Sequence, residues 1–343
     1  MNPFALREIG ATGLAVTSFG LGGAPLGNLF APIPEPDAQA VITTAWDAGV
    51  RYFDTAPHYG QGLSEVRFGR GLSAMSRADF VLSTKVGRIM TPDPDAPSKV
   101  NNFIDGLKSK PHYDYSRDGA LRSLEDSLER LKLSRIDIAF IHDIDRATHG
   151  DAHPARFKQA MEGAYRALTD LRAAGTIRAV GLGVNDWKIC CDAMQHGDFD
   201  CFLLAGRYTL LDQSALAQFM PLCVARGTSV VIGGPYNSGA LAPRTASDAS
   251  PAVTYDYRPA SPEILARVER LDKLAKTHNI PLAAAALQFP FGHKAVVSVI
   301  PGARSVAEVT SNLRFAQIPI PQAFWHDLKA ERLISEDTPL PAA

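Results

Sequence analysis

The chain has 343 residues, 46% of them hydrophobic and 21% charged, with 35 Lys and Arg against 36 Asp and Glu. A net charge of −1 provides no field to draw a nucleic acid or an anionic membrane, and the apolar share suits one large globular core. The expected partner is therefore a small molecule, with neither nucleic acid nor membrane, and no oligomeric state is assigned.

The opening, MNPFALREIG, carries no apolar run behind basic residues, and no stretch reaches the ~18 consecutive apolar residues of a membrane span. A cytoplasmic protein is expected. Residues 1–16 read as a small hairpin turning at Gly10–Gly13. Strand-like apolar runs follow at Ser18–Gly22, Tyr52–Asp54, Phe80–Thr84, Ile136–Ile141, Ala179–Gly183, Cys201–Ala205, Ser229–Gly233 and Val297–Ile300. They lack strict alternation, as parallel strands buried on both faces do. Helical periodicity covers 36–49, 117–131, 157–174, 187–197, 214–226 and 262–278, with Gly49 and Gly175 at C-terminal stops.

Eight alternations without a break in composition point to a single (β/α)₈ barrel domain over residues 1–343, its floor closed by the N-terminal hairpin. A doubly wound open sheet is the alternative. Two segments interrupt the rhythm, 86–115 after the third strand and 234–261 after the seventh. Both leave the C-terminal ends of strands, where barrel enzymes carry their sites, so both read as ligand-facing loops. Phe30, Phe103, Tyr236 and Tyr257 are aromatic residues of such loops able to stack on a sugar or pyridine ring. The four cysteines include adjacent Cys190 and Cys191 but no Cys-x-x-Cys, the pattern of buried thiols rather than of a disulfide framework or zinc knuckle.

The strand ends carry the chemistry. The second strand ends at Asp54 and leads into Thr55-Ala56-Pro57-His58-Tyr59; the third ends at Lys85 and the fourth at His142-Asp143; the fifth leads to Asn185. A lysine closing an apolar run needs a carboxylate beside it, and Asp54 on the adjacent strand is the natural partner. An ammonium next to Tyr59 is expected to lower the phenol pKa and ready it for general acid–base work. His142 is placed to hold a substrate oxygen, with His58 beside it. A rival arrangement, a metal-dependent hydrolase built on His142, Asp143 and His58, lacks the convergent ligands that a metal site needs. No metal is expected.

Asp54-Thr55-Ala56-Pro57-His58-Tyr59-Gly60, Ser83-Thr84-Lys85-Val86-Gly87 and Asp137-Ile138-Ala139-Phe140-Ile141-His142-Asp143 resemble the signatures of the aldo-keto reductase family along essentially the whole chain. The resemblance implies a (β/α)₈ barrel with a nicotinamide cofactor laid across its mouth. It implies Tyr59 as proton donor or acceptor, Lys85 as its tuner, Asp54 as the anchor of Lys85, and His142 as the residue that orients the reacting oxygen. No Gly-x-Gly-x-x-Gly follows any strand, so NAD is inferred from the likeness and not from a dinucleotide fingerprint.

Tyr113-Asp114-Tyr115-Ser116, Gly181-Leu182-Gly183-Val184-Asn185 and Gly233-Gly234-Pro235-Tyr236-Asn237-Ser238-Gly239 are similar to the aldose 1-dehydrogenase branch. That branch acts on L-fucose, L-galactose, D-arabinose and related sugars at C1. Pyridoxal 4-dehydrogenase and a general aldehyde reductase are the alternative activities, and a cofactor-sensing regulatory subunit is the non-enzymatic one. The likeness places the pyrophosphate on Gly234, Pro235, Asn237, Ser238 and Gly239, with Gly22 and Gly23 at the first strand. It places the carboxamide on Asn185, where Gly183 and Ala205 stand in slots that often hold Ser and Gln. The adenosine end falls on Gly302, Arg304, Glu308 and Asn312. Glu308 suits the ribose hydroxyls of NAD and repels the 2′-phosphate of NADP, whereas Arg304 favours NADP; NAD is preferred.

Overall fold

The eight apolar runs become eight parallel strands, β1 Leu21–Gly22, β2 Tyr52–Asp54, β3 Val81–Val86, β4 Ile138–His142, β5 Ala179–Val184, β6 Cys201–Ala205, β7 Ser229–Gly233 and β8 Val296–Ile300. The computed structural model describes residues 2–243 and 253–342. Each strand pairs in parallel with its sequence neighbour from β1 to β8. The sheet closes through parallel bridges between Phe19 and Val299 and between Gly22 and Gly302. Closure removes the open doubly wound alternative. The expected strands lie within a few residues of the observed ones.

Two apolar layers follow from the strand pleat, which sends alternate side chains to opposite faces. One set fills the barrel, including Tyr52, Ile138, Phe140, Cys201, Leu203 and Val231. The other faces the surrounding helices, with Phe53, Leu82, Ala139, Ile141, Leu182, Phe202 and Val230 among its members. The N-terminal hairpin, Leu6–Glu8 against Ala15–Thr17, seals the floor as expected. Its turn inserts Ile9, fully buried, into the barrel layer, and the Gly10 N–H donates to Ser229 Oγ at 2.8 Å. Burying such a side chain contributes about 1.5–3 kcal/mol.

The helices Glu35–Asp47, Arg117–Leu131, Trp187–Ala193 and Pro262–Thr277 fall where periodicity places them. The 157–174 segment is helical from His153 to Ala173 with a π turn at Ala160–Ala164, and the 214–226 segment contracts to Phe219–Arg226. Four longer helices, Leu63–Leu72, Leu282–Gln288, Val306–Gln317 and Gln322–Ala330, and the single turn Arg146–His149 are not anticipated by the apolar pattern. The first buries Ser64, Glu65 and Arg67 beside Phe68 and Leu72, and the second is buried almost all round by alanines, so neither presents a clean apolar stripe.

Segment 86–115 is not an irregular loop. Arg88–Pro92 pairs antiparallel with Ser109–Tyr113, and between them Lys99–Val100 pairs with Phe103–Ile104. This ribbon docks on the loop after β1: Leu29 bridges Phe103, and the Phe30 N–H donates to Asn102 O at 2.8 Å. Of segment 234–261, residues 244–252 lie outside the described residues. A hairpin of Thr254–Tyr255 and Arg258–Pro259 follows, turning at Asp256 and Tyr257, both with positive φ. Arg207 clamps it to the barrel, donating to both carboxylate oxygens of Asp256 at 2.8 Å and to Asn185 O at 2.9 Å.

Candidate active site

Asp54 ends β2 and Lys85 lies near the end of β3, so adjacent strands bring the two together under the barrel mouth. Lys85 Nζ donates to Asp54 Oδ2 and to Thr55 O, each at 2.8 Å, and Ser83 Oγ donates to Asp54 Oδ1 at 2.7 Å. Lys85 is 1% exposed and Asp54 2%. Every carboxylate oxygen is thus taken, and the ammonium keeps one of its three donors. Burial pushes the Asp54 carboxyl upward, while Lys85 and Ser83 pull against it. Ser83 was not singled out by the sequence, although it sits two residues before Lys85 and therefore on the same strand face.

The Tyr59 ring stands over this pair, its centroid 4.6 Å from Lys85 Nζ. The His142 ring meets Tyr59 edge-on at 6.1 Å, and the His58 ring lies 6.1 Å from His142. Phe103, delivered by the ribbon, approaches Tyr59 at 5.9 Å and His58 at 5.1 Å. These residues wall a cavity of about 170 Å³ that also contacts Lys85, Asp143, Asn185 and Tyr257. The four residues singled out for catalysis are therefore together at one mouth.

The electrostatics correct one expectation. The phenol of Tyr59 is not drawn toward phenolate: burial pushes it well above its ordinary value, Asp54, Tyr257 and Asp143 add to that, and Arg88 alone opposes. Lys85 does not reverse that shift, because the carboxylate at 2.8 Å offsets much of the ammonium field at the ring. The resting group is a neutral phenol, a loaded proton donor. His58 and His142 are held neutral, each pushed well below the usual imidazole value by burial and then by Arg88 and Lys85. Nδ1 of each ring is buried and has no partner among the described residues.

A second ion pair borders the same cavity. Arg88, 7% exposed, donates to Asp143 Oδ2, which lies 3.5 Å from His142 Nε2. Tyr115 packs its ring over Gly87, where φ is +101° and an added Cβ would stand 2.2 Å from ring carbon Cε1. From there its hydroxyl donates toward the carbonyls of His142 at 2.8 Å and Asp143 at 3.1 Å. Sequence reasoning gave Arg88 and Tyr115 no role in this site. The first has no signal beyond its place after the third strand, and Tyr115 entered only through a motif.

The residues assigned to the cofactor divide into two groups. Asn185 faces the cavity, its amide donating to Ala205 O at 3.3 Å beside Tyr257. Around Gly234–Gly239, the N–H groups of Gly234, Tyr236 and Ser238 donate to no acceptor among the described residues, which leaves them for an anion. These fit a nicotinamide carboxamide and a pyrophosphate. Other positions serve the chain itself. Asn237 is 2% exposed and spends its amide on Thr209 Oγ1 at 2.6 Å and Gly206 O at 3.0 Å. Ser238 Oγ accepts from the Tyr257 N–H at 3.1 Å. Asn312 accepts from the Tyr236 hydroxyl at 2.7 Å.

Gly22 and Gly302 form the bridge that closes the barrel. The Gly23 N–H donates to Asp54 O at 2.7 Å, and a Cβ on Gly23 would stand 2.5 Å from the Phe68 ring. Gly22 and Gly23 are thereby accounted for by packing. Pro235 is buried next to these free amides, and Gly239 is exposed with φ +104°. Arg304 donates to Leu29 O at 2.7 Å and Ala31 O at 3.2 Å. Glu308 accepts from the Arg304 N–H at 2.8 Å, and its own N–H donates to Ser305 Oγ at 3.2 Å, the N-cap of Val306–Gln317. Among the described residues no three His, Cys, Asp or Glu gather as a metal site, and no helix is long and apolar enough to cross a membrane.

Comparison with known proteins agrees with this geometry. The aldo/keto reductase family model matches residues 18–331. Pyridoxal 4-dehydrogenase of Microbacterium luteolum is 45% identical over 96% of this chain and 98% of its own. D-threo-aldose 1-dehydrogenase of a Pseudomonas species is 38% identical over 94% and 96%. Among solved structures, an aldo-keto reductase of Bacillus halodurans in its holo form superposes with a TM-score of 0.72 at 22% identity, covering 98% of this chain and 99% of that one. That likeness speaks to the fold.

Proposed function

The chain belongs to the aldo/keto reductase family of oxidoreductases, and we propose that with a nicotinamide cofactor it oxidises a cyclic hemiacetal to a lactone, that of an aldose such as L-fucose, L-galactose or D-arabinose at C1. One observation carries this reading: Tyr59, Lys85, His142 and Asn185 share the wall of a single cavity. The cofactor, when bound, takes the hydride; Asn185 would hold its carboxamide and the free amides around Gly234–Ser238 its phosphates.

The chain's own residues handle the oxygen and its proton. Neutral His142 donates to the reacting oxygen and orients it. Tyr59 exchanges the proton, and the spare N–H of Lys85 steadies the phenolic oxygen whenever it is charged. Asp54 and Ser83 keep Lys85 in place. Because the resting phenol is neutral, oxidation requires its deprotonation, so the oxidative rate rises with pH across the neutral and alkaline range, whereas reduction starts from the loaded form.

A second substrate reading rests on a specific observation, the 45% identity to a pyridoxal 4-dehydrogenase. Pyridoxal closes on its own hydroxymethyl arm to a hemiacetal, so the same residues would perform the same step. The Phe103 ring at the cavity wall suits a flat heteroaromatic. NAD is favoured over NADP because Arg304 is committed to two backbone carbonyls, and the Glu308 carboxylate beside it would repel a 2′-phosphate bound there.

An absorbance screen at the NADH band, with L-fucose, L-galactose, D-arabinose and pyridoxal against both cofactors, tests the proposal. Turnover of at least one hemiacetal, faster with NAD, is expected. Turnover confined to open-chain aldehydes that cannot cyclise would contradict it.

A further inference from the structure

We propose that Asp143 binds substrate, its carboxylate accepting a hydrogen bond from a hydroxyl on the atom next to the reacting carbon. The inference rests on the hemiacetal reading above and names the feature by which the enzyme chooses among hemiacetals. In an aldose that hydroxyl is the one on C2.

Three independent features single out this carboxylate. The first is its coordination. Oδ2 is engaged by Arg88, but Oδ1 has no partner among the described residues and is not sealed from the cavity that Asp143 helps to line. The side chain is 16% exposed, against 2% for Asp54, whose oxygens are both occupied. An ionised carboxylate only accepts, so its open oxygen calls for a donor.

The second is backbone conformation. Asp143 has φ +46°, a left-handed setting that aspartate adopts more readily than most residues with a side chain. Its neighbours overdetermine that setting. The Asp143 N–H donates to Gly183 O at 3.1 Å, Tyr115 holds the carbonyls on both sides of the turn, and Arg88 holds the carboxylate. So many contacts fix the carboxylate at the wall of the cavity and leave it little freedom to turn away.

The third is the ion pair itself. A buried Arg–Asp pair adds little stability over an apolar pair of the same shape, so stability does not explain its presence at the cavity wall. With neutral His142 donating only 3.5 Å from Oδ2, the wall presents a donor and an acceptor side by side. That pattern matches two oxygens on neighbouring atoms of one substrate: the reacting oxygen on His142 and Tyr59, the adjacent hydroxyl on Asp143.

The test compares kcat/KM for an aldose hemiacetal and its analogue lacking only that hydroxyl, L-fucose against 2-deoxy-L-fucose, in wild type and Asp143→Asn. Hydrogen bonds to charged groups predict wild-type discrimination of about 10–100-fold against the deoxy compound. In Asp143→Asn the ratio should fall to within a few-fold, a change that a merely structural role for the carboxylate would not produce. Wild type that turns over parent and deoxy compound equally well overturns the inference without recourse to any variant, as does an unchanged ratio in the variant. Failure of every parent hemiacetal to react would instead overturn the proposed function, and this inference with it.

Discussion

Two buried ion pairs, one strand apart, lie under the same cavity and are built differently. Lys85–Asp54 is closed: both carboxylate oxygens are hydrogen-bonded and neither side chain is more than 2% exposed. Arg88–Asp143 is open: one oxygen has no partner among the described residues, Arg88 Nε is buried without one, and the aspartate backbone is left-handed. A closed pair holds a shape, because any change to it leaves a charge stranded. An open pair leaves room for a ligand atom. The contrast separates residues that position the chemistry from those that meet the substrate.

The closed pair can be broken most severely. Lys85→Met should destabilise the fold by about 3–5 kcal/mol, since it leaves Asp54 charged and buried with no cation. Adding Asp54→Leu to that variant should recover most of the loss in denaturant unfolding while leaving the enzyme inactive. Recovery of activity along with stability would show that the pair has no part in the chemistry. Arg88→Met should cost less, about 1–3 kcal/mol, because the carboxylate it abandons can turn toward the solvated cavity. If Arg88→Met proves as costly as Lys85→Met, the two pairs are not different in kind.

Smaller effects refine the picture. Tyr115→Phe removes a hydroxyl that serves two carbonyls of the left-handed turn and should cost about 1–2 kcal/mol. It should also weaken substrate binding more than cofactor binding, and a KM that stays put while stability falls would argue against the turn as a substrate platform. The last prediction concerns pH. His142 in the folded chain titrates well below its ordinary value, while in the unfolded chain it titrates near ~6.5. Below that pH the unfolded chain binds a proton that the folded chain refuses, so stability falls as pH falls. The slope is at most about 1.4 kcal/mol per pH unit for this one group. Thermal unfolding between pH 5 and 7 in wild type and His142→Gln measures it, and the variant should have the flatter profile.

How much of this was legible in the sequence follows the same division. Strands buried on both faces print themselves as apolar runs, and the barrel could be counted from them. Asp54, Lys85 and His142 could be placed because they close those runs, where a polar residue is conspicuous. Leu63–Leu72 escaped because beside Phe68 and Leu72 it buries Ser64, Glu65 and Arg67, polar groups satisfied only by partners distant in sequence, such as Leu26 O, Asn28 and Thr84. The direction of the Tyr59 shift escaped because it is set first by burial of the phenol, which only the folded surroundings determine. Asn237 and Asn312 illustrate the converse. An amide matches a cofactor and a neighbouring hydroxyl equally well; here Asn237 bonds Thr209 and Gly206, and Asn312 Oδ1 accepts from Tyr236.

The account depends most on the phenol above the closed pair. Tyr59→Phe keeps the ring, its contact with Phe103 and the shape of the cavity, and removes only the exchangeable proton. Steady-state turnover with the best hemiacetal, measured beside NADH binding by fluorescence titration, isolates that proton. Loss of about 10²–10⁴-fold in kcat, with cofactor affinity unchanged within a few-fold, is the expected result. Turnover close to that of wild type would contradict the assignment of Tyr59.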